Sequence, residues 1–370
     1  MKKNIKIYEM PLLYLTILLI LFGTIMQYSA SSTMAINKFG WDSYNFYLSN
    51  HIIRLIIGLI AMIAMYNFQF KFLKKYSKHI LYISWIILLS AYIFNNGVTR
   101  RYLIINGHNI FTTSDFARFA LIIFTAQFIS SNKKNINNLK NIFSNYLIFV
   151  IITLGLILFQ PDLSSTFIIS IILVSMLIVG GLRIKYIVNL AAIGITILSL
   201  AIIIHPYQRV RLLNWYNNAN PDPTSQVERA KQALHNGGFI GNGVGESIIK
   251  EGFMAEVHTD FILPIIGEEL GFMGILILFI LFSTFYILSI RIAKRAPDIF
   301  SCMLTVGVAY TIIYYFIINS AYVVGIIPPT GLAIPFISYG GSHTLFTLLG
   351  VGVLLNISKY CNLYKNNYLK

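Results

Sequence analysis

Residues 256–290 read EVHTDFILPIIGEELGFMGILILFILFSTFYILSI, and their composition changes abruptly near the middle. The last fifteen residues of the stretch, 276–290, carry no charge. A run of roughly 20 apolar residues can cross a bilayer, and a carboxylate near the bilayer centre costs about 2.5–3.5 kcal/mol or more. The stretch therefore predicts a membrane helix whose outer end enters a polar site. The acidic side chains before the apolar run are Glu256, Asp260, Glu268 and Glu269.

The whole chain has the composition of an integral membrane protein. Of its 370 residues, 56% are hydrophobic and 11% are charged, and the mean hydropathy is +0.71. A soluble domain carries about 25% charged residues and would have no place for this much apolar surface. We expect an all-α, polytopic fold that forms a single integral membrane domain over residues 1–370.

The first apolar run, about residues 11–28, follows three lysines within the first six residues. It is long for the apolar part of a cleaved signal peptide, so we predict a retained first helix. Both cysteines, Cys302 and Cys361, fall near predicted cytoplasmic ends, where thiols stay reduced, and we expect no disulfide.

Apolar runs divide the chain into about ten membrane spans, with both termini on the cytoplasmic side. An inside N-terminus places 18 of the 28 Lys and Arg residues in inner segments, in agreement with the positive-inside rule, and 11 of the 13 acids at the outer face. Because these basic residues are scattered over six short segments, the net charge of +15 indicates topology and not nucleic-acid binding. The predicted spans are 11–33, 48–67, 79–95, 114–131, 145–160, 163–181, 186–205, 261–290, 299–326 and 333–357.

One outer loop, about residues 206–259, precedes the eighth span and is much longer than the other connections. Long loops without structure of their own are often functional. Its glycine-rich part, HNGGFIGNGVGES (235–247), does not match a dinucleotide-binding fingerprint, because Glu246 stands where the third glycine would fall. Glycine permits tight turns and close backbone approach, so we expect either a turned loop over an outer cavity or a plain surface loop.

The sequence contains no certain cofactor motif and no dedicated metal site. The histidines nearest the outer face lack the spacing typical of zinc ligands. Carboxylates and substrate phosphates can hold a divalent cation without fixed spacing. A Mg²⁺ or Mn²⁺ ion that enters with a substrate pyrophosphate is therefore compatible with the sequence.

Asp260 is the strongest candidate for chemistry, because it stands at the junction between the long loop and the eighth span. A water-filled outer cavity could reach it there, and a partly desolvated carboxylate is a stronger base. A helix with about 100° per residue places a stripe of small residues on the side of Asp260, which allows close packing or a cavity wall. Glu268 and Glu269 lie beyond it, and we expect them to pair with Arg or Lys from other helices.

Two further stretches indicate a polar site at the outer face. QPDLSST (160–166) places Asp162 at a tight outer turn, where it serves either the site or the N-cap of the sixth span. PPTGLAIPFISYGGSHT (328–344) is too rich in Pro, Gly and Ser for a regular span, and broken backbone at membrane depth is tolerated only against protein or a cavity. The basic residues that would suit a pyrophosphate are Arg101, Arg209, Arg211 and Lys250.

Together these stretches resemble the SEDS family (shape, elongation, division and sporulation), the FtsW and RodA group of bacterial peptidoglycan polymerases. The HTDF, GEELG and PFISYGGS segments are the most specific, and matching segments run in order over nearly the whole chain. GNGVGES is more similar to the division member, FtsW, than to the elongation member, RodA. The departures from the family pattern are mild, such as Tyr102 in place of Trp and Ala255 in place of Pro.

The resemblance implies roles for individual residues. The essential acid of the HTDF segment corresponds to Asp260, and the basic residue of the RRW segment corresponds to Arg101. The acid and the base of the fourth-helix segment correspond to Asp115 and Arg118. We predict a supporting polar network around these groups, made of Asp115, Arg118, Asp162, Glu268, Glu269 and Ser338.

The resemblance also implies ten helices and the polymerisation of glycan strands from lipid II at the periplasmic face of the bacterial inner membrane. The implied partners are a class B penicillin-binding transpeptidase of the FtsI type and other divisome membrane proteins, at the division septum. In the expected reaction, Asp260 takes the proton of the acceptor sugar 4-hydroxyl, and the growing glycan leaves its undecaprenyl-pyrophosphate carrier. A lipid II flippase and a scaffold that recruits a transpeptidase are the alternatives. The sequence shows no clear inverted repeat, which favours catalysis over transport.

Overall fold

The computed structural model of the chain describes residues 9–95, 100–105, 108–138, 142–204, 206–216, 225–250 and 257–367. Over these residues the chain forms α-helices, two short 3₁₀ turns (Trp41–Ser43 and Lys133–Asn135) and one two-stranded β-hairpin. A π-helical turn, Phe143–Leu147, precedes the sixth α-helix. The α-helices are α1 (Glu9–Phe39), α2 (Phe46–Asn67), α3 (Phe70–Lys75), α4 (Ser77–Phe94), α5 (Thr113–Ser131), α6 (Ile148–Phe159), α7 (Leu163–Val179), α8 (Ile184–Ile204), α9 (Pro206–Tyr216), α10 (Gln226–Gly237), α11 (Ile262–Ala293), α12 (Ile299–Val323) and α13 (Gly341–Asn367).

Six helical segments of the described chain are long and apolar enough to cross a membrane. They are α1, α2 with the turn before it, α4, α11, α12 and the first 21 residues of α13, and two shorter apolar helices, Ser144–Phe159 and Leu163–Val179, accompany them. This confirms the prediction of a helical, multi-pass membrane protein. A helix lies at each of the ten predicted spans, although the count of ten crossings stays a prediction.

The prediction of an all-α fold missed a β-hairpin. Strand β1 (Tyr102–Ile105) pairs antiparallel with β2 (His108–Thr112), with Leu103 opposite Phe111. The sequence signal was present, because an Asn-Gly dipeptide between two apolar runs is typical of a hairpin turn. The hairpin leads directly into α5, and the amide of Thr113 donates to the Arg101 carbonyl at 3.0 Å. It therefore fixes the position of Arg101 beside the outer end of α5.

Helices α5 and α12 lie at the centre of the molecule. Helix α5 packs against α4, α7 and α12, and most of its side chains are buried. Gly307 of α12 leaves no room for a side chain, since a methyl group there would lie 2.5 Å from Cγ2 of Ile122 in α5. Small residues let membrane helices approach closely in this way. The close packing places the outer end of α5, with Asp115, inside the bundle.

The eighth predicted span is not one continuous helix. Helix α11 breaks at Gly271, whose φ of +67° suits glycine and is strained for a residue with a side chain. The expected unbroken span over 261–290 is therefore corrected to an outer piece, 262–270, and an inner piece, 272–293. Apolar composition did not reveal the break, because it depends on what packs against residue 271.

The glycine-rich loop after α10 packs against this break and satisfies its backbone groups. The amide of Phe272 donates to the Gly238 carbonyl at 3.0 Å, and the amide of Gly243 donates to the Glu269 carbonyl at 2.9 Å. Beside these two hydrogen bonds, the amide of Met273 donates to the Phe239 carbonyl and the amide of Asn242 donates to the Glu268 carbonyl. A methyl group on Gly241 would lie 2.3 Å from the Glu269 carbonyl oxygen. The glycines therefore allow close backbone approach, and the loop is tightly turned as predicted. It packs against the break in α11 and not over a cavity, since none of its described residues lines the cavity described below.

The segment between α12 and α13 is irregular, in agreement with its Pro, Gly and Ser content. The amide of Ile334 donates to Ser338 Oγ at 2.8 Å, and the amide of Tyr339 donates to the His258 carbonyl at 2.9 Å. Phe336 holds a φ of +67°, and its carbonyl oxygen would lie 2.4 Å from a methyl group on Gly23. The broken backbone thus lies against protein. The helix of the tenth predicted span, α13, begins at Gly341 instead of residue 333.

Candidate active site

A cavity of about 670 Å³ lies at the end of the helix bundle that is predicted to face outward, beside the β-hairpin and the irregular segment after α12. Its wall is formed by α2, β1, β2, α5, α7, the residues before α11 and the start of α13. Its volume falls within the usual range of small-molecule sites. Its charged and titratable lining residues include Arg54, Arg101, Asp115, Asp162, His258, Asp260, Tyr315, Tyr339 and His343.

The backbone of Asp260 is held by α12. The carbonyl of Asp260 accepts hydrogen bonds from Asn319 Nδ2, at 2.8 Å, and from the Tyr322 hydroxyl. Asn319 Nδ2 also lies 2.7 Å from the Leu332 carbonyl, so the same amide fixes the irregular segment on the other side. The hydroxyl of Thr259 donates to Asp260 Oδ1 at 2.9 Å. These contacts hold a partly buried carboxylate at the cavity wall, as general acid–base chemistry requires.

Arg211 approaches Asp260 from α9. A methyl group on Gly331 would lie 3.5 Å from Asp260 Oδ2 and 3.8 Å from Arg211 Nη2. Gly331 has a φ of +71°, which favours glycine. Gly331 therefore lies beside both the acid and the guanidinium, and Arg211 is in the neighbourhood of Asp260. Of the two predicted basic residues in α9, Arg211 faces this region, whereas Arg209 is exposed and is not part of the cavity wall.

Asp115 and Arg118 form a buried ion pair at the outer end of α5. Arg118 Nη1 lies 2.7 Å from Asp115 Oδ1 and also donates to the Tyr315 hydroxyl. His343 Nδ1 lies 3.8 Å from Asp115 Oδ1, and its ring stacks on that of Tyr315. Arg118 is therefore committed to protein acceptors, while Asp115 remains on the cavity wall. The contact with His343 was not predicted, because nothing local links positions so distant in sequence.

Asp162 is the N-cap of α7, one of the two predicted alternatives, and it also lies on the cavity wall. Its carboxylate caps α7 by accepting from the Ser165 amide at 3.2 Å. It also accepts from the Ser114 hydroxyl at 3.0 Å and lies 3.8 Å from Arg101 Nη1. Arg101 donates through Nη2 to the Pro161 carbonyl at 3.1 Å. The long ion-pair distance leaves Arg101 a partly exposed guanidinium at the cavity wall.

Arg54 is a cavity residue that the sequence reasoning missed. It lies in α2, and its guanidinium stacks over the Tyr339 ring at 4.3 Å. Among the described residues, no carboxylate lies within 4.0 Å of its side chain, in contrast to Arg101 and Arg118. The signal was a single arginine inside the second predicted span, and charged residues within spans usually mark functional sites.

Lys250, Glu268 and Glu269 form a separate buried cluster behind the broken helix. Lys250 Nζ lies 2.9 Å from Glu269 Oε1, and the Ser29 hydroxyl of α1 donates to the same oxygen at 2.6 Å. The prediction that Glu269 pairs with a basic residue is thus confirmed, although Lys250 lies in a loop and not in another helix. Glu268 differs, because in the described chain its partners are the neutral Ser247 hydroxyl, the Asn236 amide and the Ile249 amide. The structure places Lys250 in this cluster and not on the cavity wall.

Within the part of the chain that the structure describes, no three His, Cys, Asp or Glu side chains converge as metal ligands. The cavity carboxylates instead have protein partners, which are Arg118 for Asp115, Arg101 and Ser114 for Asp162, and Thr259 for Asp260. Carboxylates that face a cavity can still complete the shell of an ion carried by phosphate groups.

The fold and the site define a class of protein: a multi-pass helical membrane protein with an arginine-bearing polar cavity and a fixed aspartate on its wall. The family model described as a cell cycle protein, which covers FtsW, RodA and SpoVE, matches residues 10–363. The chain therefore belongs to the FtsW, RodA and SpoVE family, and the resemblance found in the sequence is confirmed.

Named relatives agree with this assignment. The chain is 33% identical to a probable peptidoglycan glycosyltransferase FtsW of Trichlorobacter lovleyi, with 95% of this chain and 93% of that protein covered. It is 35% identical to stage V sporulation protein E of Bacillus subtilis, with 95% and 97% covered. A solved chain from a peptidoglycan synthase complex that coordinates polymerization and crosslinking is similar in structure, with a TM-score of 0.74, 20% identity and 94% and 96% coverage. At this identity the structural likeness shows the fold alone.

Proposed function

We propose that the chain is a peptidoglycan glycosyltransferase that polymerises glycan strands from lipid II at the outer face of the inner membrane. The observation that carries the proposal is Asp260, whose backbone is fixed by Asn319 and Tyr322 and whose side chain lines an outer cavity with two arginines. Membership of the family, and relatives named as probable peptidoglycan glycosyltransferases, support the reaction class.

In the proposed reaction, Asp260 accepts the proton of the acceptor sugar 4-hydroxyl. The oxygen then forms a bond to the anomeric carbon of the donor, and the bond from that carbon to the pyrophosphate oxygen breaks. Undecaprenyl pyrophosphate leaves with the electron pair. A single base suffices, because pyrophosphate is a good leaving group and the second carboxyl of a glycoside hydrolase is not required.

The charge that develops on the leaving pyrophosphate needs cations in the cavity. Arg54 and Arg101 line the cavity, and Arg211 approaches Asp260 across Gly331. Guanidinium groups bind phosphate oxygens in a bidentate manner and remain charged at any physiological pH. We assign the pyrophosphate to this set. Arg118 and Lys250 are excluded from the set, because both are committed to buried carboxylates.

A divalent cation, Mg²⁺ or Mn²⁺, is part of the proposal as a companion of the substrate pyrophosphate. Phosphate and carboxylate oxygens are the donors that Mg²⁺ prefers. Asp260 and Asp162 both face the cavity and would meet such an ion from the protein side. Treatment with EDTA followed by addition of Mg²⁺ or Mn²⁺ tests this part, and synthesis is expected to fall and then recover.

The decisive test is reconstitution in liposomes with labelled lipid II and a transpeptidase whose own active site is disabled. Asp260→Asn is expected to reduce glycan synthesis by roughly 10²–10⁴-fold, the usual contribution of a general base. Asp42→Asn is the matched control, because Asp42 is an exposed acid of another outer loop and is not part of the cavity wall. Normal glycan ladders from the Asp260→Asn variant would contradict the proposal.

The second candidate function is a lipid II flippase, which the broken helix α11 favours, since discontinuous helices are common in transporters. The same liposomes separate the two functions. Movement of labelled lipid II across the bilayer without any glycan ladder, from a folded complex, would identify a flippase.

We propose a class B penicillin-binding transpeptidase of the FtsI type as the partner, with further divisome membrane proteins at the septum. The support is that a structurally similar chain belongs to a complex that coordinates polymerization with crosslinking. The division role rests on relatives named FtsW, whereas the similarity to stage V sporulation protein E adds a sporulation role that the sequence motifs did not suggest.

A further inference from the structure

The loop between α10 and α11 exposes apolar side chains beside the inner piece of α11. Ile240 is 80% exposed and Phe239 is 64% exposed. The ring of Phe239 stacks on that of Phe272, with ring centroids 5.9 Å apart. Phe272 is itself exposed and begins a row of exposed apolar side chains that continues on the same side of the helix through Leu276 and Ile280. The loop and this helix therefore present one continuous apolar surface.

The depth of this surface follows from the length of the inner piece. Residues 272–293 cover about 33 Å at 1.5 Å per residue, which is close to the roughly 30 Å of a bilayer hydrocarbon core. Arg291 lies at the inner end of this piece. Gly271, at the other end, therefore lies near the outer boundary of the hydrocarbon core. The loop lies at the same depth, because it is bonded to both sides of the break.

The loop cannot easily move away from this boundary. Its backbone forms hydrogen bonds with residues on both sides of the break. Gly238 bonds to Phe272 after the break, and Gly243 bonds to Glu269 before it. Lys250, at the far end of the same loop, is fixed by its buried ion pair with Glu269. Residues 237–245 contain no charged side chain that would oppose contact with lipid.

We propose that Phe239 and Ile240 insert into the outer leaflet and contact lipid acyl chains, so that the glycine-rich loop is an interfacial membrane anchor. Lipid is the favoured occupant because the apolar surface continues without interruption from the loop into a membrane-spanning helix. Side chains at such a boundary bind by burying apolar area at the edge of the acyl region. The anchor does not rest on the transferase activity proposed above.

The test places one fluorescent label at residue 240 in the full-length chain, in liposomes that contain no other protein. Ile240→Cys is labelled on a background in which Cys302 and Cys361 are serine. Quenching is then compared between nitroxide groups on lipid acyl chains and iodide in the water. Two matched positions calibrate the result: Ile280, exposed on the spanning helix, and Glu246, the exposed charged residue of the same loop.

We expect the label at 240 to lose fluorescence with nitroxides attached high on the acyl chains, close to the headgroup, and to resist iodide. The label at 246 is expected to respond to iodide, and the label at 280 to nitroxides deeper in the acyl chains. Quenching at 240 by iodide alone would overturn the proposal. So would resistance to both quenchers, because it would mean that a second copy of the chain, and not lipid, covers the loop.

A second measurement uses the unmodified chain, so that no substitution can disturb the fold. A lipid with a photoreactive diazirine high on its acyl chain is activated in the same liposomes, and the adducts are located by mass spectrometry. Adducts on residues 239 and 240, together with those on the outer part of the inner helical piece, are expected. Adducts confined to the spanning helices would contradict the anchor.

Discussion

Of the two arginines that line the cavity, Arg54 has the less protein competition for its charge. Its guanidinium lies over the Tyr339 ring, and a methyl group on Gly341 would lie 3.3 Å from its Nε, so its position is fixed by neighbours on two sides. A charge on a spanning helix is costly, and such residues persist where they serve a substrate or ion. We therefore expect Arg54 to contribute more to substrate binding than Arg101, which shares its charge with Asp162.

The substitution Arg54→Ala should raise the KM for lipid II by roughly 10- to 100-fold, because a hydrogen bond to a charged group contributes about 1.5–3 kcal/mol. Arg54→Lys should recover only part of the loss, since an ammonium group cannot form a bidentate contact. Steady-state glycan synthesis over a range of lipid II concentrations measures both effects. Arg209→Ala is the control, because Arg209 is exposed outside the cavity wall. An unchanged KM in Arg54→Ala would remove this residue from the binding set.

Single residues also show what the sequence could and could not predict. Asp260 was predicted to reach an outer cavity because an acid at a loop–helix junction is a local pattern, and the structure places it on a cavity wall. Arg54 could have been predicted by the same reasoning, because it is an isolated charged residue in an apolar run. The contact of His343 with Asp115 could not be predicted from local sequence, since it joins positions more than 200 residues apart. Lys250 was predicted to bind the pyrophosphate, because the sequence does not reveal that it forms an ion pair with Glu269.

At the scale of elements, the broken helix α11 and the loop that fills its break act as one unit. The loop supplies backbone hydrogen-bond partners to both sides of Gly271. Lys250 of the same loop forms an ion pair with Glu269 and donates to the Ser29 hydroxyl, which links the unit to α1. The outer piece of α11 begins two residues after Asp260. The stability of this unit therefore contributes to how firmly the acid is held, in addition to the hydrogen bonds from Asn319 and Tyr322.

The substitution Lys250→Met should destabilise the chain by about 3–5 kcal/mol, because it leaves Glu269 as an uncompensated buried charge. The double variant Lys250→Met with Glu269→Gln should recover part of this loss. Thermal unfolding in detergent, followed by intrinsic fluorescence, measures both. The pair of Lys231 and Glu228 is the control, since its side chains are 35% and 20% exposed and such pairs contribute only about 0–1 kcal/mol. Equal melting temperatures for the wild type and Lys250→Met would refute the argument.

Helix boundaries were predictable wherever an apolar run has clear ends. Helices α2, α4 and α7 begin or end within a few residues of the predicted spans, because bilayer thickness and helix rise fix their length. The failures share one physical cause. The break at Gly271 and the late start of α13 depend on segments that pack from elsewhere, and a window of local hydropathy does not contain those segments.

At the scale of the whole molecule, the charge distribution predicts the orientation in the membrane. A cysteine at residue 42, in the loop between α1 and α2, should react with a membrane-impermeant maleimide from outside. A cysteine at residue 135, between α5 and α6, should react only after the membrane is opened, because its segment carries the lysines expected inside. Both positions are exposed in the structure. Labelling of residue 135 in intact cells would reverse the assigned topology.

The enclosure of α5 has a consequence for how the chain is synthesised. This helix is not among those long and apolar enough to be recognised as a span. It carries Asp115 and Arg118, which pair with each other, and Arg118 also donates to the Tyr315 hydroxyl of α12. Most of its surface is covered by other helices. During translation, α5 is complete well before the ribosome reaches α12. The nascent chain must therefore hold a charged, poorly apolar helix for more than 160 residues of synthesis before its final neighbour exists. Delayed lateral release from the translocon, and early contact with α4, would protect it during that interval.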